Sequence, residues 1–139
     1  MGQKIRELMT KDPLTVDIAR PLVEAARIMR DANVGDVLCM RDGKLEGIVT
    51  DRDIVVRCIA EDADPKTTPV EKACSRELTT LSPDDDSDNA VKLMGKKAIR
   101  RIPVVENGKP VGIVSLGDLA VARDRKSALG GISAARANR

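Results

Sequence analysis

Apolar positions along this chain follow a helical period in two stretches and form short strand-like runs in four. Leu22, Ala25, Ala26 and Met29 fall at i, i+3, i+4 and i+7, the stripe of a helix with one buried face. Pro21 opens that helix, where its fixed φ is pre-organised and its missing N–H is not needed. Ala90, Val91 and Met94 recur in the same places of a second helix, but Ser87 replaces the apolar Leu22 and predicts a looser start. The apolar runs flank two turns: Val37–Met40 and Leu45–Val49 around Asp42-Gly43, then Ile102–Val105 and Val111–Val114 around Asn107-Gly108. Asp-Gly and Asn-Gly are strong hairpin signals, because both central residues of a type I′ turn need positive φ.

This rhythm is a repeat. GKLEGIVTDRDI at 43–54 returns as GKPVGIVSLGDL at 108–119, and the same offset pairs residues 5–54 with 70–119 without a gap. Each copy predicts a short helix, strand, helix, strand, strand and helix. Repeat 1 is placed at 4–60 and repeat 2 at 70–125. Asp62, Asp64, Pro65 and Pro69 mark 61–69 as the linker, and a basic tail follows at 126–139. A repeat of this size is marginal alone, because small domains bury too little surface, so the copies are expected to share a core. Asp84, Asp85, Asp86 and Asp88 crowd the start of the second long helix. The positive end of a helix dipole favours anions, and the cluster is read as capping rather than as a metal site.

Composition narrows the function. The chain is 42% apolar and 33% charged, as in ordinary globular domains. Twenty-four basic against twenty-two acidic side chains give a formal net charge of +2, short of the basic excess of nucleic-acid binders. Arg123, Arg125, Lys126, Arg136 and Arg139 near the C-terminus face only Asp124; they are read as solvated, with a nucleic-acid contact as the competing reading. His, Phe, Tyr and Trp are absent. The commonest general base is thus missing, as are the rings on which single-stranded bases stack, so no enzyme is expected. Cys39, Cys58 and Cys74 lack metal-type spacing, and free thiols are the cytosolic default. No apolar run approaches a membrane span. MGQKIREL lacks a signal peptide's apolar segment, and Arg6 stands where a myristoylation motif has Ser or Thr. A cytoplasmic location is expected.

Candidate chemistry gathers where each hairpin runs into a helix, at GIVT-x-x-D (47–53) and GIVS-x-x-D (112–118). Such junctions offer unpaired N–H groups to an anion. Thr50 and Ser115 add hydroxyls, and Asp53 and Asp118 can accept hydrogen bonds from a ribose diol, as acids do in dinucleotide-binding folds. The same spacing is also that of a capping box, which needs no ligand. Both readings stand.

The opening IRELMTKDPLTV, the helix EAARIM, the hairpin DGKLEGIVTDRDI, then LTTLSPDD, AVKLM, IRRIPVV and NGKPVGIVSLGDL together resemble the CBS domain, named after cystathionine β-synthase. Two tandem copies look like the CBS pair, or Bateman module, over about Lys4 to Arg123. The resemblance implies a mixed α/β (α+β) fold in which each repeat holds a three-stranded sheet and two main helices, the repeats packing with pseudo-two-fold symmetry. It implies two clefts for adenosyl ligands such as AMP, ADP or ATP, no required cofactor, a homodimer, and a regulatory output through an unidentified protein effector. Residue by residue, Asp53 and Asp118 match the ribose-binding acid, and Thr50 and Ser115 the neighbouring hydroxyl. Thr15 with Val16, and Thr80 with Leu81, match positions bordering adenine, which without aromatic residues would lie between Val16, Val37, Leu81 and Ile102. Arg100 and Arg101, before Ile102-Pro103, are placed to pair with phosphate. Repeat 1 keeps Arg52 where repeat 2 has Gly117, yet has Asp36 opposite Arg101 and Leu38 opposite Pro103; unequal sites are expected. The alternatives are an interaction module with vestigial sites, or a module for S-adenosylmethionine or nucleic acid.

Overall fold

A computed structural model describes residues 2–123; the tail at 126–139 lies outside them. Along the chain run α1 (Ile5–Leu8), β1 (Thr10–Lys11), β2 (Thr15–Asp17), α2 (Leu22–Ala32), β3 (Asp36–Arg41) and β4 (Lys44–Thr50). Then come α3 (Asp51–Ile54), a π-helical turn at Val55–Ile59, a 3-10 turn at Val70–Lys72, α4 (Ser87–Lys97), β5 (Arg101–Glu106), β6 (Lys109–Ser115) and α5 (Leu116–Arg123). The fold is mixed α/β with two three-stranded sheets, β2-β3-β4 and β1-β6-β5.

Two compact units result, and their limits differ from those of the sequence repeats. A middle unit spans Leu14–Leu78, and an end unit joins the N-terminal segment through Pro13 to the chain from Thr79 onward. In the middle unit α2 lays Leu22, Ala25 and Met29 against Val16, Val37, Cys39 and Val49, and Val70, Ala73 and Cys74 complete that core. In the end unit Ala90 and Met94 of α4 meet Leu81, Ile102, Val104 and Val114, and Ile5 of α1 completes it. Each unit is therefore closed by the opening segment of the other repeat. Pairing fixes that segment: Thr10 and Lys11 lie antiparallel to Ile113 and Gly112, as Ser75 does to Ile48. Glycine on the receiving strand permits the approach. A Cβ at Gly47 would stand 2.5 Å from the Ser75 carbonyl oxygen, and one at Gly112 2.9 Å from that of Thr10, closer than side chains tolerate.

Both hairpins turn as their dipeptides predict. Asp42 and Gly43 have φ of 51° and 78°, and Asn107 and Gly108 have 54° and 79°, the positive pair of a type I′ turn. The first strands, in contrast, differ between the units. Thr15, Val16 and Asp17 pair in parallel with Leu38, Cys39 and Met40, whereas among the described residues of the end unit only Leu81 bridges Val104 in parallel. Proline is the physical reason. The Leu38 N–H donates to the Leu14 carbonyl at 3.0 Å; Pro103 holds the corresponding place and has no N–H to give.

The helix starts also depart from expectation. Pro21 is extended (φ −67°, ψ 146°) and precedes the first helical residue, Leu22. The first N–H of α2 finds the Thr68 carbonyl at 2.8 Å and the second that of Pro65 at 2.9 Å, so the segment read as a linker caps this helix. The start of α4 is not loose. The Asp86 carboxylate accepts from the Asp88 N–H at 2.8 Å, the Ser87 N–H donates to the Gln3 carbonyl at 2.8 Å, and Ser87 is buried. Capping thus explains Asp86, whereas Asp84 pairs with Arg6 at 2.7 Å and Asp85 accepts from the Ser82 N–H at 2.8 Å.

Candidate functional site

Each unit carries one strand-to-helix junction, and both are built alike. At the end of β4 the Thr50 hydroxyl accepts from the Asp53 N–H at 3.1 Å, and the Asp53 carboxylate accepts from the Thr50 N–H at 2.9 Å. At the end of β6 the Ser115 hydroxyl accepts from the Asp118 N–H at 3.1 Å, and Asp118 accepts from the Ser115 N–H at 2.8 Å. Both are reciprocal capping boxes. The first helical N–H is also taken in each case, by the Gly35 carbonyl at 3.0 Å from Asp51 and by the Arg100 carbonyl at 2.8 Å from Leu116. The box uses one carboxylate oxygen. The other oxygen of Asp53 lies 3.9 Å from Nε of Arg57, a residue the motif did not single out.

Charge separates the junctions. Asp36 lies directly across the ladder from Thr50, and Arg101 directly across from Ser115; residues so paired share one face of the sheet. The N–H of Arg52 is occupied by Asp51 Oδ1 at 2.8 Å, while Leu116, in the corresponding place, has no acceptor. Burial pushes the Asp118 carboxyl above the ordinary aspartate range, opposed by its bonds from Ser115 and by the Arg101 charge. Aligning the repeats brings out Asp51 against Leu116 and Gly35 against Arg100, a contrast that the T-x-x-D pattern alone does not convey.

The other candidates divide by strand alternation. Thr15, Leu38 and Ile48 form one cross-strand row, and Asp36 and Thr50 the next. Val16 and Val37 alternate to the opposite face and are 7% and 1% exposed in the middle core; Leu81 and Ile102 are 4% and 0% exposed in the end core. The aliphatic sandwich expected for adenine is therefore not open as the side chains stand. With Thr50 on one face, a period of two sends Val37 to the other. Thr15, Thr80, Arg52 and Arg100 are exposed, Arg101 is half-buried, and Pro103 is buried on the face opposite Ile102. All three cysteines are free and buried. The hydrogen bond with Cys74 and, after it, burial push the Cys39 thiol far up, which fits a core residue.

Known proteins match this pattern over most of its length. The CBS-domain family model matches residues 5–59 and again 70–125. The chain belongs to the CBS-domain family. As a CBS pair it is 40% identical over 117 residues to CBS domain-containing protein YhcV of Bacillus subtilis, covering 84% of this chain and 83% of that one. An uncharacterized conserved protein from Pyrococcus horikoshii, solved by crystallography, superposes with a TM-score of 0.78 at 32% identity, covering 91% of this chain and 96% of the other. The CBS domain pair of protein MJ0100, crystallised with 5′-methylthioadenosine and S-adenosyl-L-methionine, superposes with a TM-score of 0.79 at 26% identity, covering 91% and 100%. CBS-pair proteins are generally regulatory, non-catalytic modules. No helix among the described residues is long and apolar enough to cross a membrane.

Proposed function

We propose that this CBS pair binds adenosyl nucleotides, AMP, ADP or ATP, at its two junctions and signals occupancy by altering the geometry of a homodimer or of a protein effector in the cytoplasm. The observation that carries this reading is the repeated carboxylate: Asp53 and Asp118 stand at the same place in both units, each beside a hydroxyl. The box engages one oxygen of each, and a ribose diol donates to the other. In the middle unit that donation competes with Arg57. Val16, Val37, Leu81 and Ile102 contribute through their backbone, since their side chains belong to the cores. The complex of MJ0100 with two adenosyl compounds supports the ligand class. Val55, Val56 and Ile59 are 57%, 45% and 52% exposed on one helical turn and offer apolar surface to a second copy.

The complete capping boxes favour a second reading, an interaction module whose carboxylates only hold helix starts. The ultraviolet spectrum separates the two, because a chain without Trp, Tyr or Phe absorbs almost nothing where nucleobases absorb. Purified protein carrying an adenine nucleotide, released on denaturation and absent from the Asp53→Ala, Asp118→Ala variant, is the expected result. An identical nucleobase band in wild type and variant contradicts the assigned roles.

A further inference from the structure

The two units differ in what fills the space beside one strand glycine. Cys39 lies across the ladder from Gly47, so both face the same side of the sheet, and the Cys74 sulfur takes the place that a Gly47 Cβ would need. With no side chain between them the two sulfurs meet, and a hydrogen bond joins them. In the end unit Val104 lies across from Gly112, and Met9 fills the corresponding place, its sulfur 2.6 Å from where a Gly112 Cβ would stand. The repeat offset matches Cys39 with Val104 and Met9 with Cys74. The same backbone thus packs this space once with valine and methionine and once with two thiols, so packing alone does not require the thiols. Their other acceptors are distant and thiols are weak donors: the Val37 carbonyl is 3.9 Å from Cys39 and the Ser75 carbonyl 3.7 Å from Cys74.

We propose that Cys39 and Cys74 are a reversible disulfide site, oxidised by peroxide and reduced by small-molecule thiols, which locks residues 70–75 onto the sheet of the middle unit. Two backbone bonds between Ser75 and Ile48, of 2.8 and 3.0 Å, already hold that segment in place for the link. Cytosolic disulfides are mostly transient and redox-sensing, and the site does not depend on adenosyl binding. Oxidant enters at Cys74, which is 9% exposed where Cys39 is 0%. The hydrogen bond from Cys39 lowers the Cys74 pKa, burial opposes it, the Arg76 charge adds to it, and the charges of Asp53 and Glu46 work against it; the thiolate is the nucleophile. It attacks one peroxide oxygen, the O–O bond breaks and hydroxide leaves, giving a sulfenic acid. The Cys39 sulfur then attacks the Cys74 sulfur, the S–O bond breaks, and the hydroxyl departs as water with the Cys39 proton. Two electrons have passed from the sulfurs to the peroxide, and two thiol equivalents return them by exchange.

Mass spectrometry of the full chain, treated with hydrogen peroxide while folded and then denatured and alkylated, tests it. The expected result is the loss of two of the three free thiols, a proteolytic fragment linking Cys39 to Cys74, and reversal of both by dithiothreitol. The oxidised chain should also unfold at a higher urea midpoint than the reduced one, because the link restricts the unfolded chain. Cys39→Val and Cys74→Met install the residues that the end unit uses, so both should fold, as thermal melts verify, and neither should form the link. Three thiols still free after peroxide, a link through Cys58 or between chains, or thiol oxidation that dithiothreitol does not reverse would overturn the site. An oxidised chain no more stable than the reduced one would overturn the lock.

Discussion

Asp118 is a helix cap by its hydrogen bonds and a ribose acceptor by proposal, and the two roles pull on its proton in opposite directions. Burial raises its pKa, so over the window between its ordinary value and the raised one the folded chain holds a proton that the unfolded chain has released. Stability then falls as pH rises through that window. Asp118→Asn, which keeps an acceptor for the Ser115 N–H, should gain stability relative to wild type as pH rises there, measured by urea unfolding at a series of pH values. A difference independent of pH would mean that the carboxyl is not desolvated. In the proposed binding role a ribose diol favours the ionised form, which sets it against burial at this atom. The two carboxylates and their hydroxyls were legible in the sequence because T-x-x-D and S-x-x-D are local patterns. The fate of Val16 and Val37 was not read from it, although alternation from Thr50 carries the signal.

Local chemistry governs the elements wherever a turn or cap decides. Asp42-Gly43 and Asn107-Gly108 were readable because only a few residue types tolerate two positive φ angles. Shortening of the first strand in the end unit was not anticipated, since it depends on which N–H a distant strand needs, and Pro103 withholds that one. Helix ends retain a local strain. Asn33 and Ala98 cap α2 and α4 with φ of 55° each, a conformation that costs most side chains about 1 kcal/mol or more and Asn less. Ala98→Gly should therefore stabilise the protein by about 1 kcal/mol, seen as a higher urea midpoint with an unchanged slope. Destabilisation would show that Ala98 contributes packing that its cap position hides.

Across the whole molecule, the repeat was plain in the sequence while the units were not. A fixed offset shows that two copies exist; it does not show that Ile5 completes the core of the end unit or that Val70 completes that of the middle one. Such pairings join residues far apart in the chain, and local periodicity holds no information about them. Duplication with divergence is also what makes a regulatory CBS pair intelligible: the copied capping boxes preserve the junctions, and the charges around them have drifted apart. The proposed binding of adenosyl ligands by Asp53 and Asp118 is decided by calorimetric titration of wild type and the Asp53→Ala, Asp118→Ala variant with AMP, ADP, ATP and S-adenosylmethionine. Saturable binding that weakens by at least about tenfold in the variant, with about 1 kcal/mol of stability lost from the caps, is the expected outcome. Equal affinity in both proteins, or no heat from any of the four at millimolar concentration, would contradict it and leave the carboxylates as helix caps alone.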